Sequence, residues 1–106
     1  MSTLEAIIAS ANWPRHPAPR LPNWIQCADG FRMSVISGEG AYCSTRADEG
    51  PYTEVEVGYP SERPEPWSDW SEHCEDTERP VDTVYSYVPA CKVRALVALH
   101  GGEANP

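Results

Sequence analysis

The segment YTEVEVGY, residues 52–59, decides the fold class because apolar and polar side chains alternate along it. A period of two is typical of a strand that buries one face and leaves the other in water. We expect the odd-numbered residues, Thr53 through Tyr59, to face the core. The even-numbered residues, which include Glu54 and Glu56, then form an outward face that is polar and acidic.

Further strands are predicted on both sides of this segment. Residues 31–35 (FRMSV) and 83–88 (TVYSYV) alternate in the same way, and residues 42–45 (YCST) favour a short strand. The turn signal DEGP at residues 48–51 leaves a connection too short for a parallel crossover. We therefore predict a sheet of three to four mainly antiparallel strands.

A short helix and a C-terminal helix are predicted around the last strand. Residues 66–74 (PWSDWSEHC) favour about two helical turns with proline in the first turn. Beyond Pro89, apolar residues recur at helical spacing until Gly101 and Gly102 end the pattern. The predicted fold class is therefore α+β, with the C-terminal helix packed on one face of the sheet.

The first thirty residues are predicted to stand apart from this sheet. The sequence STLE at residues 2–5 is a capping box that starts a helix over residues 3–11. Four prolines between residues 14 and 22 exclude both a helix and the interior of a sheet. We divide the chain into an N-terminal helix with a proline-rich extended segment, residues 1–30, and a single α+β domain, residues 31–106.

Charge is distributed unevenly along the chain. Sixteen acidic residues against eight basic ones give a net charge of −8, and residues 48–82 alone hold twelve acids and two bases. Direct binding to nucleic-acid phosphates needs the opposite sign and is not expected. No apolar run approaches the roughly 18 residues of a membrane span, and a secretory signal is not predicted. We therefore expect a cytoplasmic protein that does not contact membranes.

The acidic middle of the chain is the candidate site for a partner. Its acids are interleaved with tryptophans and tyrosines, the residue types that anchor protein interfaces. Such a surface suits a protein or ribonucleoprotein with a basic groove, and its field would steer association. The candidate partner-binding residues are Glu54, Glu56, Trp67, Asp69, Trp70, Glu72, Glu75, Asp76 and Glu78.

Catalysis by a thiol or a metal is an alternative with a weaker pattern. Cys43 with His16, His73 or His100 and a carboxylate would make a thiol triad, but nothing local marks Cys43 as a nucleophile. The sequence has no C-x-x-C pair, and His73-Cys74 would need zinc ligands from elsewhere. We expect no catalytic residue, no metal and no cofactor, and we expect mostly buried free thiols.

A second alternative is a module that sequesters a nucleotide signal. It requires one of four arginines to converge with an exposed tyrosine or tryptophan, so that the phosphate and the base are held together. The four arginines are Arg32, Arg46, Arg79 and Arg94.

Several runs resemble a group of small phage and prophage proteins that have no assigned activity. They are YCSTR at residues 42–46, YTEVEVGYPS at 52–61, CED at 74–76, VYSYVP at 84–89 and HGG at 100–102. The resemblance covers about residues 31–102 and implies a phage setting. Small acidic phage proteins include inhibitors of CRISPR nucleases, some of which imitate the charge of nucleic acid. By this analogy the expected function is counter-defence, in which the protein binds and inhibits a CRISPR-like host complex by charge mimicry.

Overall fold

The computed structural model describes residues 2–13, 23–45 and 50–104, whose centre is a four-stranded sheet in which neighbouring strands are antiparallel. The predicted α+β class with an antiparallel sheet and a C-terminal helix is confirmed. The strands lie side by side in chain order: β1 (Trp24–Gln26), β2 (Arg32–Ile36), β3 (Glu54–Gly58) and β4 (Val84–Pro89).

Strand β3 has the two predicted faces from Glu54 to Val57, but the prediction is wrong just before it: Thr53, expected in the core, is exposed, and Tyr52, expected on the outward face, is 2% exposed. Val55 and Val57 are buried, and they pair with Val88 and Tyr85 of β4, with a register irregularity between the two pairs. Tyr59 was expected on the core face but is 51% exposed, because the strand ends at Gly58 and the next residue has a φ of +50°. The backbone therefore leaves the sheet there, and the alternation ends with it.

The helices pack against the buried face of the sheet. They are α1 (Thr3–Ala9), α2 (Trp67–Trp70), which continues into a 3-10 turn at Ser71–His73, and α3 (Ala90–Leu99). The core contains apolar side chains of α1, all four strands, α2 and α3. Residues from both predicted parts of the chain thus share one core. The members with no measurable exposure include Ile7, Ile25, Met33, Val35, Val55, Val57, Tyr85, Val88 and Val93.

Helix α1 begins with the predicted cap and ends earlier than predicted. The Ser2 hydroxyl accepts from the Glu5 backbone N–H at 3.1 Å, which is half of a capping box. The Glu5 carboxylate binds Arg94 of α3 instead, at 2.8 and 2.9 Å. After Ala9 the chain becomes extended, because Asn12 is tied to β2 through its backbone and its side chain.

The C-terminal end of α3 is fixed to the turn between β1 and β2. His100 is 8% exposed, its ring stacks on Phe31 at 4.0 Å, and its Nδ1 lies 2.7 Å from the Asp29 carboxylate. The Phe31 backbone N–H and the His100 ring together lower the pKa of Asp29. Farther along, the Glu103 carboxylate accepts from the backbone N–H groups of Thr3 and Leu4 and so joins both ends of the described chain.

Three features of the sequence fall on residues that the structure does not describe. The proline-rich stretch from 14 to 22 includes His16, and residues 46–49 include Arg46 and the first half of the predicted DEGP turn. The expectations placed on these residues stay predictions.

Candidate partner-binding surface

The predicted candidate residues separate into two groups in the structure. Glu54 and Glu56 lie on the outward face of β3, whereas the others belong to the connection between β3 and β4. We name residues 62–82 of that connection the acidic segment. It holds eight acids and two bases, a net charge of −6, and all eight acidic residues are exposed. The eight are Glu62, Glu65, Asp69, Glu72, Glu75, Asp76, Glu78 and Asp82.

The two tryptophans were expected to be anchors for a partner, and the structure gives them different positions. Trp70 is 1% exposed and packs edge-on against Tyr85 at 5.7 Å, so it lies in the core beneath the acidic segment. Trp67 is half-buried, contacts the same tyrosine at 6.3 Å and carries the Arg63 guanidinium over its ring at 5.1 Å. Only Trp67 therefore retains surface that a partner can contact. Burial raises the pKa of Tyr85 strongly, and its contact with Cys74 adds to the effect.

Glu54 and Glu56 are half-buried and hold a loop of their own chain. Glu54 accepts from the Ser44 hydroxyl at 2.7 Å, and Glu56 accepts from the Tyr42 backbone N–H at 2.9 Å. Burial raises the pKa of Glu56, the Tyr42 N–H opposes this, and the nearby Glu75 charge reinforces it. These two carboxylates therefore act mainly inside the fold.

A turn beside the outer edge of β4, where Cys74 forms an isolated bridge with Tyr85, holds Glu75, Asp76 and Glu78. The Glu75 backbone N–H donates to the Val84 carbonyl at 3.0 Å, and its carboxylate accepts from the Ser86 hydroxyl. Asp76 accepts from the Glu78 backbone N–H at 3.1 Å, an Asx turn that keeps the backbone tight. The turn thus presents three exposed carboxylates on a fixed backbone.

Lys92 of α3 connects the acidic segment to the rest of the fold. Its ammonium lies 2.7 Å from the Asp69 carbonyl, 3.3 Å from the Glu72 carboxylate and 3.1 Å from His73 Nε2. His73 Nδ1 faces the Ser86 carbonyl of β4 at 3.1 Å. Because a carbonyl only accepts, Nδ1 carries the hydrogen and Nε2 accepts from Lys92. The histidine also covers one backbone acceptor at the edge of β4.

Most of the acidic segment keeps its charge available to a partner. Glu65 pairs with Arg63 at 2.8 Å, Glu72 pairs with Lys92, and Glu62 lies 3.9 Å from the His100 ring. Among the described residues, no cation approaches within 4 Å of the other five carboxylates. Surface pairs of this kind are screened and weak, so the negative field persists.

The residues considered for other functions are mostly engaged in structure. Cys43 is buried with its Sγ near the backbone carbonyls of Gly38 and Thr45. Cys27 is buried, Cys74 is half-buried and Cys91 is exposed. Across residues 2–13, 23–45 and 50–104, no group of three or more His, Cys, Asp or Glu side chains is placed to hold a metal ion.

One of the four arginines does converge with an exposed aromatic ring. The Arg32 guanidinium lies 4.5 Å from the ring centre of Trp24, which is 44% exposed on the outward face of the sheet. Arg94 is paired with Glu5, and Arg79 lies within the acidic turn. Of the three candidate arginines that the structure describes, Arg32 is therefore the one that fits the requirement of the nucleotide hypothesis.

Two surface features were not found by sequence reasoning. Leu99, at the end of α3, is 61% exposed beside a groove, and the Tyr42 and Tyr87 rings meet at 6.0 Å where the sheet is irregular. A larger cleft of about 720 Å³ lies between α1 and the end of α3, where Arg94 and Glu103 are already bonded to α1. The helical spacing around Leu99 indicates an apolar face but does not show where that face ends.

Comparison with known proteins gives no match: no protein-family model, curated protein or solved structure corresponds to this chain. Within the part of the chain that the structure describes, no helix has the length and apolar character needed to span a bilayer.

Proposed function

We propose that this protein binds a basic groove of a nucleic-acid-handling protein or ribonucleoprotein and thereby excludes nucleic acid from it. The observation that carries this proposal is the acidic segment, in which all eight acidic residues are exposed and only two basic residues accompany them. A contiguous negative surface attracts a positive groove and speeds the encounter, in a way that added salt weakens.

The target class follows from charge and from the resemblance to phage proteins. A groove that holds nucleic acid is lined with lysine and arginine, so carboxylates on a folded scaffold compete for the same cations. A CRISPR-like defence complex in the host cytoplasm is such a target, and inhibition by occupancy requires no catalytic group. The protein would then act as a counter-defence inhibitor.

The test is capture from a bacterial host lysate by the tagged full chain, at low and high salt, with the captured proteins identified by mass spectrometry. We expect a nucleic-acid-binding protein or complex that is captured at low salt, is lost at high salt and is displaced by added RNA or duplex DNA. Capture that neither salt nor nucleic acid reduces would contradict the proposal.

A second candidate function rests on the contact between Arg32 and Trp24. A guanidinium beside an exposed indole provides a charge for a phosphate and a flat surface for a base. Isothermal titration with cyclic and adenosine-derived nucleotides tests it. Heat of binding that disappears in Trp24→Ala would support this function, and absence of heat would remove it.

A further inference from the structure

A groove between α2 and α3 combines an apolar floor with an acidic edge. Its volume is about 250 Å³, below the roughly 300–1,000 Å³ of small-molecule sites, so it suits a single side chain. Trp70 and Leu96 are buried and form part of the floor. Leu99 lines the groove and, at 61% exposed, is the most exposed large apolar side chain in the described parts of the chain.

The charges at this groove favour a positively charged occupant. Glu65 and Asp69 line it from the α2 side, and both residues are exposed. Glu65 is paired with the exposed Arg63 at 2.8 Å, whereas the Asp69 carboxylate has no cation within 4 Å among the described residues. The cation in the lining, Lys92, has its three contacts within the fold, at the Asp69 carbonyl, Glu72 and His73. Lys92 is therefore committed to the fold, and the neighbouring residues of the acidic segment add further negative charge.

We infer that the groove receives one apolar side chain from a basic segment of the partner protein, with arginine or lysine residues on either side of it. The apolar side chain would cover Leu99 and contact the exposed Ala95 beside it. The flanking cations would meet Asp69 and compete with Arg63 for Glu65. This inference rests on the proposed function and assigns the partner's anchor to a definite place. The charge of the acidic segment brings the partner close, and the groove selects a segment that carries an apolar residue.

The experiment titrates the isotope-labelled full chain with three five-residue peptides and follows backbone amide shifts by NMR. The peptides are Arg-Arg-Leu-Arg-Arg, the same peptide with serine in place of leucine, and the same peptide with glutamate in place of arginine. We expect the first to bind at least tenfold more tightly than the second and to shift the amides of Ala95, Leu96 and Leu99. The glutamate peptide should not bind.

Two variants complete the test. Leu99→Ser should lower affinity for the leucine peptide to that of the serine peptide, whereas Tyr59→Ser, a change at a 51% exposed residue outside both the acidic segment and the groove lining, should leave it unchanged. Because Leu99 is exposed, its truncation leaves the core intact, and unchanged shifts elsewhere in the spectrum verify this.

The possible failures separate the two proposals. Equal binding of the leucine and serine peptides, or an unchanged affinity in Leu99→Ser, would overturn the groove inference and leave the charge-based function standing. If neither arginine peptide binds, the groove inference fails and the charge-based function loses its support as well.

Discussion

At the scale of single residues, the carboxylate of Glu56, an acid predicted to lie at the surface, holds a loop of the same chain. Its position in the alternation indicates only that it faces away from the core. In the structure its carboxylate accepts from the Tyr42 backbone N–H, and the Tyr42 carbonyl in turn accepts from the Tyr87 N–H. Burial raises the pKa of Glu56, and the charge of Glu75 raises it further. Both effects disfavour the charged form of this carboxylate.

Glu56→Gln should consequently stabilise the fold at pH 7, because the amide oxygen still accepts from Tyr42 while the charge is removed. Relief of a like-charge contact is worth on the order of 0.5 kcal/mol. Because the pKa of Glu56 is raised in the folded state, its charged form destabilises the fold and its protonated form does not. The variant should therefore have the higher free energy of unfolding above the raised pKa, and this difference should vanish below the ordinary value of 4.5. Urea unfolding at pH 7 and pH 4 measures both predictions.

Glu75→Gln is the matched control for this prediction. It removes only the Glu75 charge, the weaker of the two causes that raise the pKa of Glu56, and it keeps an acceptor for the Ser86 hydroxyl. Its gain in stability at pH 7 should therefore be smaller than that of Glu56→Gln. A gain for Glu56→Gln that persists at pH 4, or a loss at pH 7, would contradict the interpretation.

At the scale of elements, strands β2, β3 and β4 and the three helices were predictable from their periodicity and capping residues, and the short strand β1 was not. Strand β3 and helix α3 follow their periods of 2 and 3.6 over enough residues to be identified. Strand β1 has three residues and follows a segment of prolines, so its pairing with β2 leaves no readable pattern. The helical pattern of residues 66–74 does not distinguish Trp67 from Trp70; in the structure both rings contact Tyr85, and Trp70 is the more deeply buried.

The position of α2 and its 3-10 turn depends on Lys92. Lys92→Met keeps the aliphatic stem and removes the ammonium, leaving the Asp69 carbonyl, Glu72 and His73 without this donor. We expect a loss of about 1–3 kcal/mol and faster amide hydrogen exchange over residues 69–74.

Arg94→Met is the control on the same helix. The bond between Arg94 and Glu5 is exposed, and a pair of this kind contributes about 0.2–1 kcal/mol. Equal destabilisation by the two variants, or unchanged exchange over residues 69–74 in Lys92→Met, would show that the lysine does not hold this segment.

At the scale of the whole molecule, the sequence shows where the acidic residues lie along the chain but not that folding separates them into two groups. The block of residues 48–82 suggested one continuous binding surface. Folding instead turns Glu54 and Glu56 toward a loop and exposes the acidic segment between β3 and β4. Sequence spacing could not predict this, because hydrogen bonds from residues 42 and 44 to strand β3 join positions at least ten residues apart.

The proposed function depends on where the negative charge lies on the surface as well as on the net charge of the protein. Glu75→Gln, Asp76→Asn and Glu78→Gln together remove three charges while keeping the acceptors that form the turn. Gln26→Lys, Ala28→Lys and Ala98→Lys change the net charge by the same amount at exposed positions outside the acidic segment. The two triple variants therefore separate a local surface from a general negative field.

Capture from the host lysate by the wild type and these two variants, each matched in concentration and salt, tests the central claim most directly. We expect the wild type and the lysine variant to retain the same nucleic-acid-binding target and the amide variant to lose it. If the amide variant captures that target as well as the wild type does, the acidic turn is not the binding surface and the charge-mimicry proposal is wrong.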